Sequence, residues 1–146
     1  MNISAEQFKK EYTEFKRSVL LEDDIKFLNS LTEAVNRFPK VTDKNELIQL
    51  ESEIANYGFQ LSGIYGRLLG QYNVEKDILE KKKSELVSSG AVKSMAGAER
   101  QFAQDSYGEV KELSMFEGVI EEYKAKLYSL NEVHLAITHR IGKLNQ

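Results

Sequence analysis

Residues 113–144 read LSMFEGVIEEYKAKLYSLNEVHLAITHRIGKL, and apolar side chains recur in this stretch at alternating spacings of three and four. Such spacing is typical of a long helix that packs one face along another helix. The positions of this predicted seam are Leu113, Phe116, Ile120, Tyr123, Leu127, Leu130, His134, Ile137, Ile141 and Leu144. The stretch therefore predicts a long C-terminal helix.

A second stretch has the same spacing, at Leu47, Leu50, Ile54, Tyr57, Leu61, Ile64 and Leu68. Beyond Leu68 the seam slips by one residue through Tyr72 and Leu79 to Leu86, which changes the face that the helix presents. Residues 88–98, SSGAVKSMAGA, contain two glycines and small side chains and form the best predicted turn. A short link should fold the two long segments back antiparallel, so residues 43–146 are predicted to form one long helical hairpin with its turn near 88–98.

The N-terminal residues 1–40 are predicted to form a pair of short helices. Ser4 and Gln7 fit a capping box for a first helix from about Ala5 to Leu21. Asp23 and Asp24 can cap a second helix, which Pro39 ends because proline lacks an amide donor. Thr42 or Asp43 then opens the long third segment. The predicted fold class is all-α, with two short helices followed by a coiled-coil-like antiparallel hairpin.

Composition limits the classes of protein that fit. The 146 residues carry 20 Lys and Arg against 23 Asp and Glu, a formal net charge of −3, and contain no cysteine. Disulfides, thiolate zinc sites and cysteine nucleophiles are excluded. The first residues lack the apolar core of a signal peptide, and no apolar run approaches the roughly 20 residues that cross a bilayer. We expect a soluble, cytoplasmic protein without membrane contact.

The predicted hairpin is too long to fit a compact globule. Two segments of about 45 residues would each extend roughly 67 Å, whereas a compact domain of this size has a radius of gyration of about 15 Å. Apolar side chains also lie off the seams, and the two short helices can cover only part of them. They are Phe59, Tyr65, Leu69, Val74, Met115, Val119, Tyr128, Val133 and Leu135. Exposed apolar stripes usually mark association, so we expect a homo-oligomer.

No catalytic or metal-binding pattern is present. His134 occupies a seam position typical of a core residue, and His139 lies five residues on, which puts the two rings on different faces. Nucleotide-binding loops, zinc motifs and Ser-His-acid constellations are absent, and adjacent acids such as Glu121 and Glu122 splay apart on a helix. We expect a protein that is not an enzyme and that has no cofactor and no metal.

Four glycines fall inside the third helical segment: Gly58, Gly63, Gly66 and Gly70. Each costs about 1 kcal/mol relative to alanine in a helix interior, so an offsetting role is expected. One interpretation is close helix packing, within the hairpin or between subunits. The other is that the glycines leave Arg67 accessible beside Tyr65 and Tyr72, which is suitable chemistry for a phosphate and a stacked base.

The charges around the predicted turn are segregated. Residues 76–100 hold six basic and four acidic side chains, whereas residues 109–122 hold five glutamates against Lys111. Such a charge run is either an ordinary solvated helix face or a surface that attracts a polyanion. The candidate nucleic-acid-binding residues are Tyr65, Arg67, Tyr72, Lys76, Lys81, Lys82, Lys83, Lys93 and Arg100.

A resemblance to a known family lies in residues 54–102, IANYGFQLSGIYGRLLGQYNVEKDILEKKKSELVSSGAVKSMAGAERQF. A second long helix, rich in Glu and Leu, follows them. The chain from Leu47 to Leu144 resembles the small phage recombination mediators of the UvsY-like kind. The resemblance rests on the order of the elements, on Arg67 beside tyrosines and on the break between the long helices, which contains Lys and Gly. The resemblance implies an oligomeric ring of helical protomers that binds single-stranded DNA and helps a recombinase displace single-strand-binding protein. Arg67 corresponds most nearly to that family's basic residues on the first long helix.

The leading functional hypothesis is therefore a non-enzymatic, oligomeric accessory protein that binds single-stranded DNA and assists recombinase loading. The alternative is a phage-type helical adaptor or inhibitor that docks a protein through its off-seam apolar surface without nucleic acid. A third, weaker hypothesis is a scaffold or chaperone. Loss of DNA affinity with salt separates the first hypothesis from the second.

Overall fold

The computed structural model describes residues 4–146, and the regular secondary structure of these residues is entirely helical. Five α-helices follow in chain order: α1 (Ala5–Val19), α2 (Glu22–Arg37), α3 (Lys44–Ser88), α4 (Met95–Asp105) and α5 (Tyr107–Leu144). A 3-10 turn, Phe38–Lys40, lies between α2 and α3. No strand occurs in the described part of the chain, so the prediction of an all-α fold is confirmed.

The start of α1 follows the sequence prediction in part. The backbone amide of Gln7 donates to Ser4 Oγ over 3.1 Å, as expected for the serine of a capping box. The Gln7 side chain instead donates to Glu11 Oε1 (3.3 Å) and does not return to the cap. The helix ends at Val19, two residues before the predicted Leu21.

Aspartates cap the next two helices from different positions. Asp24 Oδ2 accepts a 2.8 Å hydrogen bond from the backbone amide of Leu21, so Asp24 caps α2 from inside its first turn. Asp43 Oδ2 accepts a 3.1 Å hydrogen bond from the amide of Glu46, which makes Asp43, of the two predicted candidates, the cap of α3. Both interactions satisfy amides that a helix start leaves without a partner.

The link between the two long helices differs from the predicted turn because it contains the start of α4. Gly90 follows the end of α3 with φ +77°, a left-handed conformation that glycine adopts without a Cβ clash. Ser94 Oγ then accepts a hydrogen bond from the Gly97 amide (3.1 Å) and caps α4. Residues 95–98 are therefore helical, and only residues 89–94 of the predicted turn lie outside helices.

The chain divides into two compact units. Unit 1 contains residues 4–19 and Arg67–Ile120, and unit 2 contains Leu20–Gly66 and Glu121–Gln146. Each long helix therefore contributes a segment to each unit, with the division after Gly66 in α3 and after Ile120 in α5.

In unit 1, three helices meet on the fully buried side chain of Phe116. The ring of Phe15 in α1 meets it edge-on, with centroids 5.7 Å apart, and the ring of Tyr72 in α3 lies at 5.9 Å. An ion pair between Glu11 and Lys111 also joins α1 to α5. Hydrogen bonds from the Lys111 ammonium and then from the Gln7 amide lower the pKa of Glu11.

The packing of α1 corrects the expectation of exposed apolar side chains at Met115 and Val119, since both are buried. The Tyr12 ring lies over Gly118, where an added Cβ would come within 3.1 Å of Tyr12 Cε2. α1 thus covers this part of α5 even though none of its own residues is fully buried.

In unit 2, Arg140 of α5 holds the turn that follows α2. Its guanidinium lies 4.3 Å from the centroid of the Phe38 ring and donates 3.2 Å hydrogen bonds to the carbonyl oxygens of Phe38 and Val41. Pro39 lies in this turn, and α2 ends before it, as predicted. A single α5 side chain therefore bonds two carbonyls of the turn, of which that of Phe38 also accepts from the Val41 amide over 3.3 Å.

A network on α3 joins it to α2 in the same unit. Arg37 pairs with Glu53 Oε1 at 2.7 Å, and Tyr57 Oη donates to the same oxygen over 3.0 Å. Burial, and then the hydrogen bond to Glu53, raises the pKa of Tyr57. The Tyr57 ring meets Phe27 of α2 edge-on, with centroids 5.5 Å apart.

We expect Gly66→Ala and Gly70→Ala each to raise the free energy of unfolding by up to about 1 kcal/mol, the helix-propensity difference between the two residues. No steric clash offsets this gain, because a Cβ at either position would meet no atom within 4 Å. Gly97→Ala is the matched control of opposite sign, because its Cβ would lie 2.6 Å from Val92 Cγ1. Urea denaturation measures all three, and a loss of stability in the first two would contradict the open space around them.

Among residues 4–146, no helix combines the length and the apolar character needed to cross a membrane.

Candidate nucleic-acid interface

Most of the predicted nucleic-acid-binding residues lie in unit 1. α3 carries seven of the nine, Lys93 lies in the link, and Arg100 lies on α4. All except Tyr65, which belongs to unit 2, fall within the Arg67–Ile120 part of the chain. The lysines at 76, 81, 82 and 93 are exposed, as is Arg67.

One outward face of α3 presents Arg67, Val74 and Lys81, which follow each other at intervals of seven residues. Seven residues make nearly two helical turns, so these side chains project from almost the same side of α3. All three are exposed. Gly70 lies on this face between Arg67 and Val74, and the place of its missing Cβ is open. A ligand can therefore approach the α3 backbone closely beside Arg67.

The predicted tyrosine partners of Arg67 lie elsewhere. Tyr72 packs against the buried ring of Phe116 and is itself partly buried, so in this structure it is a packing residue of unit 1. Tyr65 is seven residues before Tyr72 and is also partly buried. Both tyrosines are far from Arg67 around the helix: Tyr72 is five residues away, about 500° or 140° beyond one full rotation, and Tyr65 is two residues away, about 200°. Base stacking beside Arg67 by either ring is not supported by this arrangement.

Two of the predicted lysines are engaged in ion pairs that connect helices. Lys82 Nζ lies 2.9 Å from Glu109 Oε2 and joins α3 to α5. Lys83, whose side chain is only 21% exposed, lies 3.6 Å from Glu80 and 3.8 Å from Glu99, and the latter contact joins α3 to α4. These two lysines are partly neutralised within the unit, so they are weaker candidates for phosphate contacts than their sequence position suggests.

The other predicted cations are more available. Lys76, Lys81, Lys93 and Arg100 are exposed and form no ion pair with any residue between 4 and 146. The Lys83–Glu99 contact brings Arg100, the next residue of α4, close to the 80–83 segment of α3. Such exposed side chains provide non-specific, salt-sensitive contacts with phosphates.

Acidic side chains line one groove of unit 1. Glu75, Glu109 and Glu112 surround a shallow groove of about 150 Å³ together with Ile78 and Leu79. Over its described residues unit 1 carries twelve basic and twelve acidic side chains, whereas unit 2 carries eight and eleven. A polyanion would therefore meet repulsion at this groove and attraction at the outward face of α3, at α4 and at the exposed lysines of α1.

Sequence reasoning did not single out the exposed set of cations on α1, Lys9, Lys10 and Arg17, which belongs to the same unit as Arg67. It did single out Gly58 as a position with an offsetting role in packing or access. The structure has an apolar groove there, in unit 2, and Ala55 and Ser62 are further small residues of its α3 wall.

Groups of three or more His, Asp or Glu side chains that could hold a metal ion do not occur between residues 4 and 146. His134 is partly buried and lines the unit 2 groove, whereas His139 is exposed.

Comparison with protein-family models, with curated proteins and with solved structures finds no match to this chain.

Proposed function

We infer that the chain is a non-enzymatic, homo-oligomeric accessory protein that binds single-stranded DNA, with α3 and α5 forming one long antiparallel hairpin. The observation that carries the proposal is the outward face of α3, where exposed Arg67 and Lys81 flank Gly70. The two cations are about 21 Å apart along the helix axis. This spacing suits an extended phosphate backbone better than a small anion.

The UvsY-like resemblance supplies the biological class in this proposal. It suggests a mediator that assists recombinase loading on single-stranded DNA, with Arg67 as the residue nearest to the family's basic positions. Lys76, Lys93 and Arg100 would add phosphate contacts on the same unit. Contacts of this kind position a strand without reading its sequence.

Charge balance explains why the proposal requires an oligomer. Unit 1 has as many acidic as basic side chains, so a single chain would hold DNA weakly. Several chains on one strand convert later contacts into intramolecular ones, which raises the overall affinity without any new contact.

The proposal is tested by titrating the protein into a fluorescent oligo-dT strand across a salt series and recording anisotropy. Each phosphate contact on a single strand contributes about −0.7 to the slope of log K against log salt. The double variant Arg67→Ala/Lys81→Ala should therefore weaken binding and make the slope shallower by about 1.4.

The matched control is Lys124→Ala/Lys126→Ala, which removes two exposed lysines from unit 2 and changes the net charge equally. It should leave the slope nearly unchanged. Equal effects of the two double variants would show that binding depends on net charge and not on the α3 face. An absence of binding at low salt would reject DNA binding.

A second candidate function is docking of a protein partner without nucleic acid. It is favoured by Val74 and Ile78, two largely exposed apolar side chains of α3, together with the glutamate-lined groove that contains Ile78. Such a surface suits a partner helix with both apolar and basic residues. The same titration separates the two functions, because the adaptor function predicts no oligonucleotide binding at any salt concentration.

A further inference from the structure

An apolar groove of about 360 Å³ lies between α3 and α5 within unit 2. Its α3 side is formed by Ile54, Ala55, Gly58, Phe59 and Ser62, and its α5 side by Leu127, Leu130, Asn131 and His134. The groove exists at this point because Gly58 has no side chain. A Cβ there would lie 3.9 Å from Leu130 Cδ2, so any longer side chain would extend into the open space.

The same patch contains a large protruding side chain. Phe59, next to Gly58, is 81% exposed, which is an unfavourable position for a phenylalanine in water. Tyr128 is 68% exposed and lies one helical turn from Asn131 of the groove wall. The patch therefore presents both an aromatic projection and an apolar recess.

The groove lining contains no Asp, Glu, Lys or Arg, although unit 2 as a whole is acidic. The second groove of unit 2, between α2 and α5, differs because it includes Glu122 and Lys126. In a two-fold pair, a charge close to the symmetry axis faces an equal charge of the other copy, so an uncharged centre suits self-association. A symmetric dimer also requires one patch to supply both the projection and the recess.

The exposed aromatic area is also substantial. With about 200 Å² for a whole aromatic side chain, Phe59 and Tyr128 leave about 300 Å² open on each chain. Two chains would bury about 600 Å² from these side chains alone, more than a third of the roughly 1,600 Å² of a standard interface. The groove walls would add to this area.

We propose that unit 2 pairs with unit 2 of a second copy of this chain, the Phe59 ring of each copy entering the groove beside Gly58 of the other. The inference deepens the homo-oligomer of the proposed function by naming the surface that makes it. It uses no residue of the DNA-binding face on unit 1.

Sedimentation equilibrium over a concentration series tests the interface. The wild-type chain should reach twice its 16.7 kDa mass. Phe59→Ser, which removes the projection, and Gly58→Met, which fills the recess, should each raise the dimer dissociation constant at least about tenfold. Val74→Ser, which removes an exposed apolar side chain from the unit 1 segment of α3, is the matched control and should leave the dissociation constant unchanged.

Mixing the two variants distinguishes loss of the specific contact from a general loss of stability. Phe59→Ser keeps the recess beside Gly58 open, although the groove loses the Phe59 part of its wall, and Gly58→Met keeps the aromatic ring. One of the two contacts is therefore restored only in the mixed dimer. The mixture should associate more tightly than either variant alone. A mixture as weak as its components, a monomeric wild type, or a dimer insensitive to both substitutions would overturn the proposal.

Oligonucleotide anisotropy on the same samples keeps this inference separate from the proposed function. Loss of the dimer with residual salt-dependent binding by the single chain would support both proposals. A dimer that follows these predictions but binds no oligonucleotide would support the interface and reject only DNA binding.

Discussion

Replacement of Phe116 by alanine is expected to lower the free energy of unfolding by about 3–5 kcal/mol, the largest single-residue effect in unit 1. The side chain is fully buried, and the rings of Phe15 and Tyr72 both pack against it. Its removal would leave a cavity at the point where α1, α3 and α5 meet. Urea denaturation followed by far-UV circular dichroism measures the loss.

Phe8→Ala is the matched control, because it makes the same chemical change on α1 at a side chain that is half exposed. It is expected to cost no more than about 1 kcal/mol, since less apolar surface leaves the protein interior. Comparable losses in the two variants would contradict the central position of Phe116.

Arg140→Ala is expected to destabilise the protein by about 2–3 kcal/mol, which is large for a side chain that is only partly buried. The substitution removes two charge-assisted hydrogen bonds to the carbonyl oxygens of Phe38 and Val41 together with the contact on the Phe38 ring. The Val41 carbonyl would then need water in place of the guanidinium, whereas the Phe38 carbonyl would keep only its bond from the Val41 amide. Denaturation measures the total loss, and hydrogen exchange at residues 38–43 should locate it at the turn.

Two controls distinguish geometry from charge. Arg140→Lys retains the positive charge but lacks the planar fork of donors, so it should recover only part of the stability. Lys143→Ala removes an exposed cation from the same end of α5 and should cost less than about 0.5 kcal/mol. A full rescue by lysine would show that charge near the helix end is sufficient.

Helix positions were predictable because they depend on neighbouring residues. The hydroxyl of Ser4 and the carboxylate of Asp43 cap the helices that follow them, and Pro39 ends α2 because it has no amide to donate. The spacing of apolar residues likewise identified buried positions such as Leu61 and Ile137. Each of these signals acts within a few residues of the chain.

Other features depended on contacts between distant residues. The off-seam residues Met115 and Val119 are buried because α1 packs near them. Tyr72 is a packing residue because the ring of Phe116 lies against it. No local pattern indicates which of several apolar faces a short helix will cover.

The residues of the candidate site were predictable from the sequence, but their ion pairs were not. A count of charges along α3 identifies the cations, but it does not reveal that Lys82 and Lys83 are bound to carboxylates of other helices while Lys81 is not. Local spacing along one chain thus predicted four helical segments and the caps at Ser4 and Asp43, since capping and periodicity are short-range effects, but it placed the start of α4 in a turn. Which cations are neutralised and which apolar residues are covered depend on side chains many residues away, and folding alone brings those together.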